Sequence, residues 1–381
     1  MKILHTSDWH LGRQFHGQSL AADHEAVLAQ VMSAVETHDP DVLVVAGDIF
    51  DRASPPADAV RQFNSFVERF AAQSRAAIVL IAGNHDSGDR IASLAALADR
   101  NRVLIRGPLV GDERPLIIHD AHGPVAFSAL PFGNEFAARE CYPDAGIAKA
   151  SDVIGAQVTA ARAHVPKGAR WVLVAHAFVT NAVGSESERP LSMGGIDTVH
   201  PGTFAGAHYV ALGHLHRPQF TGQPHIRYSG SPLAFSFDEG SAQKSMCLVD
   251  LKADGSVAHE LLPFTPLRRV RSIEGLFADV LTAAEANPSD DFLEIVLTDP
   301  GAVVDAMGRL RRHYPNALQL RFSVQQTHPV PVGATHARGA VDPITVIGEF
   351  FTQVRAAPLQ DVEREIIADA LNRTNTEELA A

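Results

Sequence analysis

Apolar, strand-like runs in this chain keep ending on the same kinds of residue. Lys2 to Thr6 leads into Asp8-Trp9-His10, Asp41 to Ala46 into Gly47-Asp48, and Ala77 to Ala82 into Gly83-Asn84-His85-Asp86. Farther on, Trp171 to Ala175 leads into His176, and Tyr209 to Leu212 into Gly213-His214-Leu215-His216. Between the first three runs lie two helical patterns. Val27, Leu28, Val31, Met32 and Val35 share one helical face, and Val60, Phe63, Phe66, Val67 and Phe70 share another. A strand-helix-strand-helix-strand order favours parallel strands joined by right-handed crossovers. Side chains just past the carboxyl ends of parallel strands gather in one crevice. Residues far apart in sequence are therefore expected to meet.

Further β-rich pieces, Leu116 to His119, Val125 to Ala129, Ile226 to Ser229 and Lys244 to Leu251, call for a second sheet. The expected fold is α/β, two sheets face to face with helices outside, an α-β-β-α sandwich of four layers. A boundary is expected near Pro263 to Pro266, closing a first domain over 1–263. Residues 267–324 read as a small α/β module, with strands at Phe292 to Leu297 and Leu318 to Val324 and a helix at Val303 to Leu310. A Pro-, Gly-, His- and Thr-rich linker is expected over 325–340, then a helical tail over 341–381. In the tail, Ile344, Ile347, Phe351 and Val354 share one face, and Leu359, Val362, Ile366 and Ala370 share another. Two short amphipathic helices cannot bury such faces alone, so they dock on the body or bind a partner.

The strand-end residues carry a recognisable chemistry. Asp8, His10, Asp48, Asn84, His176, His214 and His216 offer oxygen and imidazole donors, more than one divalent ion needs. Two ions sharing a bridging carboxylate do need them, and Asp48, after a turn-permitting glycine, is the candidate bridge. This donor mixture suits Mn²⁺, Fe²⁺ or Zn²⁺ better than Ca²⁺. Such a pair of ions is the equipment of a phosphoester hydrolase. His85 adjoins a ligand without being needed as one and is the candidate general acid, with Asp51 or Asp86 to orient it. Each motif alone has an ordinary structural explanation: a surface turn, a helix cap, a hydrogen-bonded histidine. Five of them in series, each after a strand-like run, are explained by one shared site. The other histidines, including His5, His16, His119 and His200, read as structural.

Bulk properties set limits on this reading. With 381 residues, 46% hydrophobic and 20% charged, the chain can bury a large core. A formal net charge of -12 argues against gripping nucleic acid by bulk electrostatics, although bound dications and a basic partner would offset it locally. Cys141 and Cys247 are too few and too far apart for a disulfide framework. No apolar run reaches membrane-spanning length, and the opening residues lack a signal peptide, so the cytoplasm is the expected compartment.

The ordered blocks D-x-H, G-D, G-N-H-D, H and G-H-x-H resemble the calcineurin-like metallophosphoesterase superfamily. The flanking stretches His5 to Gly12, Ala46 to Asp51, Ala82 to Asp86, Ala211 to Arg217 and Tyr228 to Leu233 are similar to the SbcD family, the nuclease chains of SbcCD complexes. That resemblance implies a metallophosphoesterase sandwich with a capping domain. It implies manganese-dependent cleavage of DNA, as a 3′-to-5′ exonuclease on duplex ends and an endonuclease on single strands and hairpins. Asp8, His10, Asp48 and His216 would hold one ion; Asp48, Asn84, His176 and His214 would hold the other. His85 matches the catalytic histidine. Where archaeal and eukaryotic relatives carry a second functional histidine, this chain has Asp51. The resemblance also implies a coiled-coil ATPase partner of the SbcC type, in a two-plus-two assembly, with the chain itself forming a homodimer. DNA contacts are expected near the metal rim at Arg13, His16 and Arg217. Two other readings compete: a phosphatase or cyclic-nucleotide phosphodiesterase of the same superfamily, and a non-catalytic scaffold, which would be expected to have lost ligands.

Overall fold

The structure is a computed structural model that describes residues 1–95, 99, 101–188, 198–301, 303–323, 342–355 and 357–378, with backbone alone at 353–355 and 372–378. It divides into two compact units, Met1–Arg271 and Ser272–Ala381. The linker expected over 325–340 lies outside the described residues.

The first unit begins with strand β1 (Lys2–Thr6), a small hairpin of β2 (Gln14–Phe15) and β3 (Gln18–Ser19), helix α1 (Ala21–His38), β4 (Val42–Ala46), α2 (Ala57–Gln73), β5 (Ala77–Ile81), α3 (Gly88–Ser93) and β6 (Val103–Arg106). Strands β1, β4, β5 and β6 are parallel neighbours. Their continuous apolar sequences follow from burial on both faces: all five residues of β4 and of β5 are buried. Helix α1 buries Val27, Leu28, Val31, Met32 and Val35, and stops where Asp39 turns left-handed and its N–H bonds the Val35 carbonyl. Helix α2 buries Phe63, Phe66 and Phe70, and the Trp9 ring packs against the first two.

The second half of this unit runs β7 (Leu116–Asp120), β8 (Gly123–Leu130), α4 (Glu135–Cys141), α5 (Ala150–Arg162), β9 (Arg170–His176), β10 (Tyr209–Gly213), β11 (Gln219–Thr221), β12 (Gln223–Tyr228), β13 (Ser245–Leu251) and β14 (Val257–Pro263). The strands form two six-stranded sheets, ordered β14-β13-β1-β4-β5-β6 and β11-β12-β10-β9-β8-β7. In the second sheet, β8, β9, β10 and β12 are parallel. The sheets face each other across one apolar core, in which Ile3, Val44, Val79 and Ile81 meet Phe127, Val172, Val174 and Ala211. The outer face of the second sheet, with Trp171 and Leu173, packs on Ile154 and Val158 of α5. This is the four-layer α-β-β-α sandwich the sequence called for.

The second unit holds a three-stranded sheet of β15 (Val270–Gly275), β16 (Phe292–Leu297) and β17 (Ala317–Phe322), with α6 (Phe277–Ala286) and α7 (Ala306–Leu310). Its core joins Phe277, Val280, Leu293, Ile295, Leu310 and Tyr314. The tail forms α8 (Pro343–Arg355) and α9 (Asp361–Glu378), with Val346, Phe350, Val362 and Ile366 exposed. No helix among the described residues is long and apolar enough to cross a membrane.

Candidate metal centre

The carboxyl ends of β1, β4 and β5 meet those of β9 and β10 at one edge of the sandwich. The contact is close enough to forbid side chains. A Cβ on Gly213 would sit 1.8 Å from the Ala46 carbonyl oxygen, and one on Gly83 would sit 2.2 Å from Asp48 Oδ1. The glycines of these motifs thus let the ligand-bearing loops approach.

Asp8, His10, Asp48, His176, His214 and His216 are all buried, and Asn84 is half-buried. Asp48 Oδ2 lies between two imidazoles, 3.6 Å from His10 Nε2 and 3.5 Å from His176 Nε2. His10 Nε2 and His216 Nε2 face each other at 3.2 Å. Donor atoms of Asp8, His10 and His216 form one compact group, and those of Asp8, Asp48 and His176 form another. Asn84 Oδ1 closes the second side, 2.9 Å from His176 Nε2 and 3.3 Å from His214 Nδ1. All seven expected ligands therefore converge. The separations of 3.2–3.6 Å lie within or just above the spacing of ligands on a shared cation, since bonds of about 2.1 Å place neighbouring ligand atoms roughly 3.0–3.4 Å apart.

The local backbone is unusual. Asp8, His10, Asp48 and His214 all have positive φ, at 54°, 48°, 50° and 107°. Their N–H groups and carbonyls brace one another: Asp8 N–H donates to the Gly47 carbonyl, His10 N–H to the Asp48 carbonyl, and His214 N–H to Asp8 Oδ1, at 2.9–3.0 Å. Asp86 secures the loops from below. Its carboxylate accepts from the N–H groups of Ile49, Phe50 and Gly83. Asp86 thus braces the loops. His85 Nδ1 lies 2.8 Å from the backbone carbonyl of Asp51 and donates to it, leaving Nε2 toward the cluster, 4.0 Å from Asp48 Oδ2. The Asp51 carboxylate turns to Arg13 Nη1 at 3.4 Å and to His10 Nδ1 at 3.7 Å.

Charge is crowded here. Burial, with Asp48 nearby, pushes Asp8 up to about 6, and burial and Asp48 push Asp86 up to about 7. Burial disfavours charge on His176, but the Asp48 and Asp8 carboxylates outweigh it and push it up to about 9. Burial holds His10 and His214 far below the ordinary imidazole value, so both are neutral donors at pH 7.

The rim residues differ. Arg13 lies over the Phe235 ring at 4.6 Å and Nη2 reaches the Ser187 carbonyl at 3.4 Å. Arg217 Nη2 donates to the backbone carbonyl and to the carboxylate of Asp238, both at 3.0 Å. Both arginines already have protein partners. His16 is exposed in the hairpin turn between β2 and β3, 5.2 Å from the Phe237 ring. Residues that the sequence did not single out, Ser187, Glu188, Glu239 and Lys244, surround His216. Glu188 Oε1 accepts the His216 N–H at 2.8 Å, and Lys244 Nζ donates to the His216 carbonyl at 2.8 Å.

Residues 1–110 match the calcineurin-like phosphoesterase family. Residues 263–355 match the SbcD C-terminal family, named for the type 5 capsule protein repressor C-terminal domain. Among solved structures, the chain is similar to GAP50, the anchor in the inner membrane complex of Plasmodium, at 10% identity over 86% of this chain and 98% of that one, with a TM-score of 0.42.

Proposed function

The chain belongs to the calcineurin-like metallophosphoesterase superfamily and carries an SbcD-type C-terminal module, and on that basis we propose that it is the nuclease component of a DNA-repair complex. The superfamily hydrolyses phosphoesters with divalent metals. In this reading the substrate is a DNA phosphodiester, cut exonucleolytically 3′ to 5′ at duplex ends and endonucleolytically in single strands and hairpins. The two-metal chemistry rests on the position of Asp48 Oδ2 between His10 and His176, where a bridging carboxylate belongs, and the choice of DNA rests on the SbcD-type C-terminal match. Asp8, His10, Asp48 and His216 would hold one ion, and Asp48, Asn84, His176 and His214 the other, with Mn²⁺ the expected metal. Bound there, two divalent ions supply charge to screen the phosphodiester and acidify the attacking water.

The remaining chemistry belongs to side chains. His85, held at Nδ1 by the Asp51 carbonyl, keeps Nε2 directed at the cluster edge and donates a proton to the departing oxygen. Arg13, His16 and Arg217 are the rim side chains that would meet the DNA backbone, His16 the most exposed of them. The tail helices α8 and α9 expose Val346, Phe350, Val362 and Ile366 as the surface for a coiled-coil ATPase, in a cytoplasmic assembly of two copies of each chain.

Two measurements test this. Metal analysis of the Mn²⁺-dialysed chain is expected to find two ions per chain; none would leave a non-catalytic scaffold. The loaded chain is expected to cut a DNA hairpin. Turnover of small phosphodiesters or phosphomonoesters with an intact hairpin would favour the phosphatase reading and end this one.

A further inference from the structure

The two imidazoles that flank the cluster are backed differently. His176 Nδ1 lies 2.9 Å from a backbone carbonyl, that of Ala46. His216 Nδ1 instead faces a buried acid: Ser187 Oγ lies 2.5 Å from it, and Glu239 Oε1 lies 3.3 Å from it. Ser187 Oγ in turn donates to the same Glu239 oxygen. With the proton on Nδ1, His216 donates to Ser187 and Ser187 donates to Glu239, and Nε2 keeps a free lone pair toward His10 and the cluster. Both contacts fall on one nitrogen, so this is no serine-nucleophile relay. It is an arrangement for fixing one tautomer and one ring orientation.

Glu239 is fully buried and Lys244 is 7% exposed. Lys244 donates to Glu239 Oε2, to Ser231 Oγ at 3.0 Å and to the His216 carbonyl. Ser185 and Ser236 hydroxyls also donate to Glu239 Oε1, at 3.0 and 2.9 Å. A buried ion pair is a weak source of stability, because desolvating two charges offsets their attraction. An apolar pair would fill the same space. The acid is explained by what it touches, since a carboxylate behind a metal-binding imidazole sets its tautomer and raises its donor strength.

We propose that Glu239 is a positioning residue that acts directly and through Ser187 to hold His216 as a ligand, strengthening the ion on the His10–His216 side. This rests on the two-metal reading given above. Lys244 pairs with the Glu239 carboxylate and ties it to the loop that carries His216.

The test is Mn²⁺ binding, followed by loss of the free-ion electron paramagnetic resonance signal, in the full chain and in E239Q/K244M, which removes both buried charges together. Wild type is expected to bind two ions. The double variant is expected to bind one ion as before and the other about 10–100-fold more weakly, with the thermal unfolding of the metal-free chain confirming that it folds. Ser187→Ala, which keeps the Glu239–Lys244 pair, is expected to weaken the same ion and carries the test if the double variant does not fold. Two ions bound with wild-type affinity in the folded variants would overturn the role of Glu239 and leave the two-metal reading standing. Fewer than two ions on wild type would overturn that reading itself.

Discussion

His85→Ala isolates the proton-transfer step from everything else the site does. The side chain is not needed to shape the ligand cluster. Asp48 Oδ1 is held by the backbone N–H of His85 at 2.9 Å, which alanine retains. His85 Nε2 stands 4.0 Å from Asp48 Oδ2, farther than the 3.5 and 3.6 Å of His176 and His10. The variant is therefore expected to bind two Mn²⁺ ions as wild type does. Its folding cost includes the hydrogen bond to the Asp51 carbonyl, about 1–3 kcal/mol if water cannot replace it, and the edge contact of the His85 ring with His10. Loss of general-acid catalysis is worth about 10²–10⁴ in rate, or roughly 2.7–5.5 kcal/mol at 1.36 kcal/mol per tenfold.

The leaving group provides the control. Single-turnover cleavage of a DNA oligonucleotide should fall by that factor, because a nucleoside alkoxide needs a proton to depart. A nitrophenyl ester of a nucleotide releases an anion that does not, so its cleavage should fall by less than about tenfold. An equal loss on both substrates, with both ions bound, would show that His85 positions the phosphate and protonates nothing. An unimpaired rate on DNA would remove it from the mechanism.

Four further outcomes are expected. Gly83→Ala places a methyl group 2.2 Å from Asp48 Oδ1 and 2.7 Å from His176 Cε1, so calorimetry should find Mn²⁺ affinity lowered on the order of tenfold or more. Asp86→Ala strands three loop N–H groups, each worth about 1–3 kcal/mol when left unpartnered, and should lower the thermal midpoint by several degrees while wild-type secondary structure persists by circular dichroism. His176 is pushed up to about 9 by its carboxylates, so it carries a proton at pH 7 that metal binding must expel. Affinity should therefore rise with pH, about tenfold per unit between pH 7 and that value, and calorimetry in buffers of different ionisation enthalpy should count one proton released. Deleting residues 341–381 should abolish co-purification with the coiled-coil ATPase and leave Mn²⁺-dependent cleavage by the isolated chain intact; undiminished co-purification would move the interface elsewhere.

Much of this arrangement is legible in the order of residues alone. The run Val42 to Ala46 is too short for a helix and apolar throughout, which suits a strand buried on both faces, and a strand of that kind ends where ligands collect. The same logic locates Asp8, Asn84, His176 and His214. Glu239 is not legible, because it lies 23 residues beyond His216 in a single 3-10 turn, Phe237–Glu239, with no spacing that ties it to the ligand. Its role exists only after the chain from β12 to β13 folds back. The orienter of His85 is hidden for a different reason. It is the carbonyl of Asp51, and backbone atoms are present at every position, so a sequence draws the eye to the side chains of Asp51 and Asp86 and not to the peptide bond. The partners of Arg13 and Arg217, namely Asp51, Ser187 and Asp238, are likewise invisible in the sequence.

The positive φ angles tie these observations together. A non-glycine residue in the left-handed region costs on the order of 1–3 kcal/mol and persists only where its surroundings over-determine it. Four of the seven candidate ligands sit there. Each lies just past the end of a strand. Aspartate and histidine enter this region more readily than most residues, yet both remain uncommon there. What holds them is reciprocal: the loop of Asp8 bonds the loop of Asp48, and His214 bonds Asp8. Strain, crowded carboxylates and raised pKa values at Asp8 and Asp86 all oppose the metal-free fold. Cations placed among Asp8 and Asp48 would relieve the electrostatic part of that opposition. The backbone part would remain, supported by the inter-sheet core beneath the loops. A site of this kind therefore has to be built on rigid strand ends, and a chain that had lost its metals would have little reason to keep four ligands so bent.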